Sequence, residues 1–448
     1  MKVIKIQKYF WFTIALFLFP YKGIGSIEIQ KDPKNLFMTT EIIKARDMEG
    51  IPQASPTSYW DETILLNQDY IIIGAGIIGL STAVEIKKAD PEAKVLVLEK
   101  GTLASGASTR NAGFACFGSL TEIYEDISVM GAEKAIAQVK DRWQGLKDLR
   151  EALSDQSINF RQTGNYEIIG QDLLPLVNQM KYVNKLLRPI FNDNVFLKMD
   201  EKLSDFGFSK NHVSSLILNK FEGQINSGKM MEALQKKAQS LGVIVRYGSA
   251  ALRPYKVGDK VHVSVLTSNN SFQKQVTFKA SAIGICTNGF ISELAPEVNI
   301  FPGRGQILVT EPIKDTLLPT TPFHIGKGFW YFRLLDDNRI LLGGGRNLNI
   351  SGETTKDLRT TPDIIGPLKK ILCSIIVPGQ NPNIDFVWSG IMGFSEEHTP
   401  IIKYLPNLSN VVIGFGCNGM GIARGYDTGK KTAVLMIKAK KGSSFSET

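Results

Sequence analysis

The chain has 448 residues, which is long for one hydrophobic core, so two domains are expected. Its 43% apolar and 21% charged residues are ordinary for a globular protein and exclude wholesale disorder. A net charge of +9 without a nucleic-acid-binding motif reads as solvation plus mild attraction for anionic ligands, and four cysteines and four histidines without ligand spacing argue against a metal site or a disulfide framework.

At the N-terminus Lys2, Lys5 and Lys8 precede an apolar run from Tyr9 to Phe19, too short for a comfortable transmembrane helix and of the length of a signal-peptide core. Gly23-Ile24-Gly25 supplies small residues for cleavage, and Met38 and Met48 are alternative starts. Residues 1–26 are therefore expected as a signal-like or membrane-associated segment and residues 27–60 as an arm.

Next comes Tyr70-Ile71-Ile72-Ile73, an apolar run that breaks into Gly74-Ala75-Gly76-Ile77-Ile78-Gly79 and resumes in a helix-compatible pattern, predicting strand, tight turn and helix. Gly74 serves the turn, Gly76 lets backbone approach a pyrophosphate, and Gly79 lets helix pack on strand. The free N–H groups from Ile77 onward make the helix start an anion seat. A second apolar strand, Val95-Leu96-Val97-Leu98, ends in Glu99, 25 positions beyond Gly74. That is close to the roughly 20 expected for an acid holding a ribose hydroxyl. A dinucleotide-binding βαβ unit follows from this spacing, the bland alternative being an empty βαβ unit with a solvated Glu99.

After Glu99 runs a long segment almost free of bulk, Lys100-Gly101-Thr102-Leu103-Ala104-Ser105-Gly106-Ala107-Ser108-Thr109-Arg110-Asn111-Ala112-Gly113-Phe114, suited to lie against a flat ligand with amides and hydroxyls as donors. Here the chain resembles the flavin-dependent D-amino-acid oxidase family, from about Asp69 to about Met436. The resemblance implies FAD rather than NAD, and a Rossmann-type α/β domain joined to a discontinuous α+β substrate domain on a mostly antiparallel sheet. The FAD-binding domain is expected from residues 61–120, 215–300 and 385–440, the substrate domain from 121–214 and 301–384, and a flexible tail from 441–448. Lys100, Ser105, Gly106, Ser108, Thr109, Arg110, Asn111, Ala112 and Gly113 join Gly74, Gly76, Ile77, Gly79 and Glu99 as cofactor-binding candidates. A chain folded around FAD normally loads it before crossing a membrane, and no twin arginine is present. A cytoplasmic body is expected, with membrane association or export through the N-terminal segment as alternatives.

Farther along, residues 121–153 show helical spacing at Ile136, Val139, Trp143, Leu146 and Leu153, and residues 159–169 read as a strand pair turning at Gly164-Asn165. Residues 230–241 predict a helix ended by Gly242. Val243-Ile244-Val245 predicts a strand, and Val261-His262-Val263 with residues 276–278 an antiparallel insertion. Ala282-Ile283-Gly284-Ile285 leads to a loop at Asn288-Gly289, which the resemblance places beside the flavin and local sequence fits equally as a buried strand and turn. Residues 303–310 open a second run of strands.

The polar turn 336–338 makes a hairpin of Phe329-Trp330-Tyr331-Phe332-Arg333 and Ile340-Leu341-Leu342-Gly343-Gly344-Gly345-Arg346. This hairpin resembles the γ-glutamylputrescine oxidase branch, and Tyr331, Arg333 and Arg346 are its candidates for a substrate wall, or else ordinary strand residues. The stretch from Val411 through Gly416-Cys417-Asn418-Gly419-Met420-Gly421 is again strand, glycine turn and helix, resembling the family's C-terminal flavin-binding segment. Gly416, Asn418, Gly419, Met420 and Gly421 complete the cofactor candidates, since a helix N-terminus there favours the negative charge of reduced flavin.

Two departures from the family matter. Met392 and Cys417 stand where glycine oxidases carry arginines, so the usual carboxylate clamp is missing unless Arg333 or Arg346 supplies one. Arg110 replaces the histidine that tethers flavin in dimethylglycine-dehydrogenase relatives, and no cysteine lies between Trp388 and His398, so the flavin is expected to be non-covalent. The resemblance implies oxidation of a C–N bond of an amine by hydride transfer to flavin, with oxygen or a quinone-type carrier as acceptor. A flavin-dependent 2-hydroxy acid oxidase or dehydrogenase, and a flavin-binding protein without turnover, are the alternatives. An NAD-dependent dehydrogenase explains the first βαβ unit alone.

Overall fold

The structure, a computed structural model, describes residues 57–266 and 275–442. The apolar run near the N-terminus, Met38, Met48, nearly all of the 27–60 arm and residues 443–448 of the expected tail lie outside the described residues. Among those described, no helix is long and apolar enough to cross a membrane.

In chain order the main elements are β1 (Asn67–Ile73), α1 (Ile77–Ala89), β2 (Val95–Leu98), α2 (Leu120–Met130), α3 (Ala132–Leu153), β3 (Asn165–Ile169), β4 (Ser215–Asn219), α4 (Ser227–Ser240) and β5 (Ile244–Arg246). They continue with β6 (Lys260–Leu266), β7 (Gln275–Ile285), β8 (Phe301–Thr310), β9 (Pro322–Ile325), β10 (Trp330–Leu334), β11 (Ile340–Gly344), β12 (Ile384–Phe394), β13 (Leu408–Phe415) and α5 (Gly421–Lys440).

One sheet has a parallel core in the order β5-β2-β1-β7-β13. Its central strands are near-continuous Ile, Val and Leu because helices or loops cover both faces. α1 and α5 lie on one face, where Gly284 of β7 leaves room for Met436 and Gly414 of β13 for Thr432. The second sheet has eight strands and is antiparallel throughout except for β3 beside β9; its inner part runs β12-β8-β11-β10-β9-β3-β4. Phe206, Phe208, Phe323 and Phe332 pack in a cluster on one of its faces, with the Phe323 and Phe332 rings stacked at 4.7 Å. This is the Rossmann-type α/β fold with a mostly antiparallel second sheet expected from the sequence.

Several elements differ from expectation. The helical pattern over 121–153 is two helices, broken at Gly131; Ser119 and Glu122 form a capping box that starts the first. Residues 159–169 form no strand pair: only Asn165–Ile169 is a strand, and its antiparallel partner is β4, because Gly164 redirects the chain and Arg161 makes a lone bridge to Gln224. Residues 276–278 and 282–285 belong to one strand, β7, which pairs antiparallel with β6 in its first half and parallel with β1 beyond Asn67. β4 and β12, grouped by sequence with the FAD-binding segments, are built into the second sheet. Cys116, Cys286 and Cys417 are buried free thiols, and Cys373 is a partly exposed one at the end of a surface helix.

Candidate active site and cofactor cradle

β1 ends at Ile73 and the chain turns through Gly74 at φ +105, where a Cβ would lie 2.7 Å from the Cys286 carbonyl oxygen. A Cβ on Gly79 would lie 1.9 Å from Gly74 O, so the first turn of α1 rests directly on the glycine turn. The Ile77 N–H donates to Ser108 Oγ at 3.0 Å. Glu99, just past β2, accepts from Ala75 N–H at 2.8 Å and from Gly101 N–H at 2.9 Å. Each carboxylate oxygen keeps a further lone pair for a ribose hydroxyl. The turn, the acid and the helix start thus form one hydrogen-bonded unit at the carboxyl ends of the parallel strands, where open α/β sheets bind ligands. Lys100 turns outward to Glu293, 3.4 Å away. Thr287, just beyond β7 and beside Gly74, holds a buried hydroxyl without a partner among the described residues, at this same edge. Sequence reading passed over it, since a threonine after a strand carries no signal by itself.

Residues 105–114 fold on themselves. Thr109 Oγ1 donates to Ala104 O at 3.0 Å. Asn111 Nδ2 donates to Ala107 O and Ser108 O, while its Oδ1 accepts from Gly113 N–H at 2.9 Å and Ser227 Oγ at 2.7 Å. Arg110 Nε donates to Ser105 O at 2.6 Å and its Nη1 to Ser389 O at 2.9 Å, and Trp388 Nε1 donates back to Arg110 O at 3.1 Å. This ledge is therefore latched to β12 of the second sheet, and the Arg110 side chain serves the latch. Ala112 is buried against Ile307, Val309 and Leu341, while a Cβ on Gly106 would meet nothing within 4 Å.

The C-terminal turn is organised by Asn418, which donates to Gly416 O at 2.6 Å and accepts from Ser395 N–H at 2.8 Å. Gly416 N–H donates to Asn288 Oδ1 at 3.3 Å, and Met420 N–H to Cys417 O at 3.0 Å. No side chain caps α5, and built Cβ atoms on Gly419 and Gly421 meet nothing within 4 Å, so the helix start faces open space. Gly425 presses on Ile77 and Gly429 on Ser81, which makes α5 run parallel to α1 with both N-termini at the same edge of the sheet. Two positive helix ends beside glycines with no side chain in the way suit an extended, doubly phosphorylated ligand.

The second sheet presents its other face to the ledge. Cross-strand register puts Glu167, His324, Tyr331, Gly343, Ile307 and Trp388 in one row across β3, β9, β10, β11, β8 and β12. Phe114 of the ledge packs its ring 5.2 Å from His324 and 5.7 Å from Tyr331. A Cβ on Gly343 would lie 2.6 Å from the Tyr331 ring, so the tyrosine leans over that gap. Burial pushes the Tyr331 hydroxyl up to about 12 and the His324 imidazole below its ordinary value, the latter opposed by Glu122. Among the described residues neither His324 ring nitrogen, nor the Tyr331 hydroxyl, nor any Arg346 nitrogen has a hydrogen-bond partner. Buried polar groups are normally paired, and among the described residues His324 Nδ1 and Arg346 Nε are buried without a partner, so this face is shaped for a ligand.

The three substrate-wall candidates separate here. Arg333 Nη1 is held by Gln224 Oε1 at 3.1 Å and Ile225 O at 3.0 Å, and burial brings its guanidinium down to about 10. It rivets the sheet to Gly113 and to the chain before α4, whereas Tyr331 and Arg346 stay uncommitted. Sequence reading missed His324, whose place beside Tyr331 depends on β9–β10 register. It also missed Glu222, which accepts from Phe117 and Gly118 N–H at 2.7 and 2.9 Å and from Asn165 Nδ2 at 2.8 Å and so fixes the chain behind the ledge.

Fold and site together define a flavin-binding oxidoreductase. The family model of FAD-dependent oxidoreductases, DAO, matches residues 69–435, and the chain belongs to this family. A probable oxidoreductase, OrdL, of Haemophilus influenzae is 23% identical over 380 residues, covering 81% of each chain. Among solved structures, glycine oxidase from Geobacillus kaustophilus matches with a TM-score of 0.62 at 17% identity, over 85% of this chain and 96% of that one. The dithionite-reduced, FAD-bound L-α-glycerophosphate oxidase from Mycoplasma pneumoniae gives 0.64 at 17%, over 83% and 95%. The cofactor is FAD. We propose that Glu99 and the residue 74–79 turn would hold it at one end, the 105–113 ledge along its length, and the residue 416–421 turn with the start of α5 at the other.

Proposed function

We propose that this enzyme oxidises a C–N bond of an amine or amino-acid-like substrate to an imine that water then hydrolyses. The observation that carries this is the family match over residues 69–435, and on the wall burial keeps Tyr331 protonated and makes the His324 imidazole a weaker base than usual, so that His324 is the base an alcohol substrate would have to use. An alcohol must lose its hydroxyl proton as hydride leaves the carbon, and so needs such a base. A neutral amine brings its own lone pair and needs none. Bound FAD supplies the electron-accepting ring, and the protein supplies orientation, a dry wall and a positive helix end. Phe114 and Tyr331 pack edge to face as an apolar wall that keeps water from the substrate, and the Trp388–Arg110 latch holds the ledge at fixed height above the sheet.

His324 also favours a second reading. An unpaired imidazole on the wall is the group a hydroxy-acid oxidase would use to take the hydroxyl proton, and the glycerophosphate oxidase likeness belongs to that chemistry. Anaerobic mixing of FAD-loaded protein with matched amines and hydroxy acids separates the two. Bleaching of the flavin by amines alone is expected; bleaching by hydroxy acids alone refutes the C–N reading. Reoxidation by air or by a quinone then assigns the acceptor.

A further inference from the structure

Arg424 lies in the first turn of α5, where its backbone N–H donates to Met420 O at 2.9 Å, and its guanidinium turns inward to α3. There it meets Arg142. Arg424 Nη2 donates to Gln138 Oε1 at 2.8 Å and Arg142 Nη2 donates to the same oxygen at 2.9 Å, so two guanidiniums converge on one neutral acceptor. Their other hydrogen bonds go to backbone carbonyls, Arg424 Nη1 to His398 O at 2.8 Å and Arg142 Nη1 to Phe117 O at 3.0 Å. Both are buried, Arg424 at 4% exposure and Arg142 at 7%.

Among the described residues no carboxylate hydrogen-bonds either cation: Asp126 Oδ2 stands 3.7 Å from Arg142 Nη2, and Arg142 Nε has no partner. Arg304 on the second sheet, as deeply buried, has the Glu353 carboxylate at 2.7 and 2.9 Å. Cys417 lies in the field of Arg424 but does not neutralise it, since burial pushes the thiol up to about 11. Burial and the neighbouring Arg142 bring Arg424 down to about 10, against the fields of Asp141 and Asp126, so both arginines stay charged at neutral pH. Two buried like charges held by neutral oxygens are costly for folding alone. They give the first turn of α5 a more positive potential than its peptide dipoles supply.

That potential reaches the uncapped start of the helix, where Gly419 and Gly421 border open space. We propose that Arg424, backed by Arg142, sets the reduction potential of the bound flavin by stabilising the negative charge that the ring gains on reduction. In that step a C–H bond of the substrate breaks, the hydrogen moves to the flavin with both bonding electrons, and the electron-poor carbon left behind is stabilised by its heteroatom. Met392, Cys417 and Met420 bring no charge to the site, so the positive charge comes from behind the helix start. This rests on the residue 416–421 turn lying at the flavin ring, and it is independent of whether the heteroatom is nitrogen or oxygen.

The test uses the FAD-loaded full chain and needs no substrate. The flavin is reduced anaerobically with dithionite beside a reference dye of known potential, and the two absorbances give the equilibrium constant for two-electron reduction. Arg424→Met should lower that constant about 10-fold, the order expected of one unit charge inside a protein, and Arg424→Lys should stay within about 3-fold of wild type. Arg142→Met should shift it the same way by less. Flavin content and the thermal midpoint are read on each variant, because a residue that only ties α5 to α3 would lower the midpoint and leave the equilibrium where it was. A methionine variant at position 424 that holds FAD with the wild-type constant overturns the proposal, and so does a lysine variant shifted as far as the methionine one. If Arg424→Met does not retain FAD, Arg142→Met carries the test, and an unchanged constant there overturns it. Bleaching of wild type by hydroxy acids alone refutes the amine reading and leaves these expected shifts as they are.

Discussion

Replacing Glu222 by glutamine removes one titration from the interior and keeps most of its hydrogen bonds. Its Oε1 accepts two backbone N–H groups and its Oε2 accepts Asn165 Nδ2, while burial pushes the carboxyl up from 4.5 to about 8. Asn165 Oδ1 has no partner among the described residues, so that amide turned end for end offers an acceptor to a protonated Oε2 or to a glutamine Nε2. In the unfolded chain the acid releases its proton near 4.5, and in the folded protein it keeps the proton to about 8. Between those values the folded state binds more protons, so this stabilising contribution, complete below the unfolded value, is lost as pH rises. From about pH 5.5 to about pH 8 the loss is roughly 3 kcal/mol, at about 1.4 kcal/mol per unit. Glu167, pushed up to about 7 by burial among Ser119 and Thr121, adds a loss of roughly 2 kcal/mol over the same interval. Urea unfolding followed by circular dichroism, at fixed excess FAD and several pH values, reads both. Wild type should lose stability toward pH 8, and Glu222→Gln should lose about 3 kcal/mol less. A variant with the full wild-type slope, or a wild type equally stable across the range, refutes a neutral buried Glu222.

Gly79→Ala forces a methyl into Gly74 O and should cost about 3 kcal/mol or more along with stoichiometric FAD, read from flavin content and the thermal midpoint. Trp388→Phe removes the indole donor to Arg110 O; it should cost about 1–2 kcal/mol and speed FAD release, measured by fluorescence recovery on dilution, with unchanged release placing the latch outside cofactor retention. Glu99→Lys sets a cation against Ala75 and Gly101 N–H and removes the ribose acceptor, so the purified variant should be colourless; retained flavin would refute the ribose assignment.

The glycine turn before α1, the acid after β2, the small-residue segment and the second glycine turn were all legible in the sequence. Each is a contiguous pattern whose local physics is complete: a strand must end, a helix must start without side chains in the way, and a carboxylate must follow the next strand. The hairpin of β10 and β11 was legible for the same reason, since Asp336, Asp337 and Asn338 interrupt two apolar runs.

What the chain does with those pieces was decided only by tertiary structure. Tyr331, Arg333 and Arg346 look alike in sequence as polar residues of one hairpin. Folding commits Arg333 to Gln224 and Ile225 and leaves the other two free, because β10 crosses the chain before α4 at that one residue. Glu167 joins His324 and Tyr331 in a row because β3, far away in sequence, pairs with β9, and no local signal encodes register between those two strands; His324 faces Tyr331 across the short β9–β10 hairpin. Glu222 carries no signal in the sequence. It is buried because the backbone of residues 117 and 118 arrives from another part of the chain with two N–H groups that its Oε1 accepts.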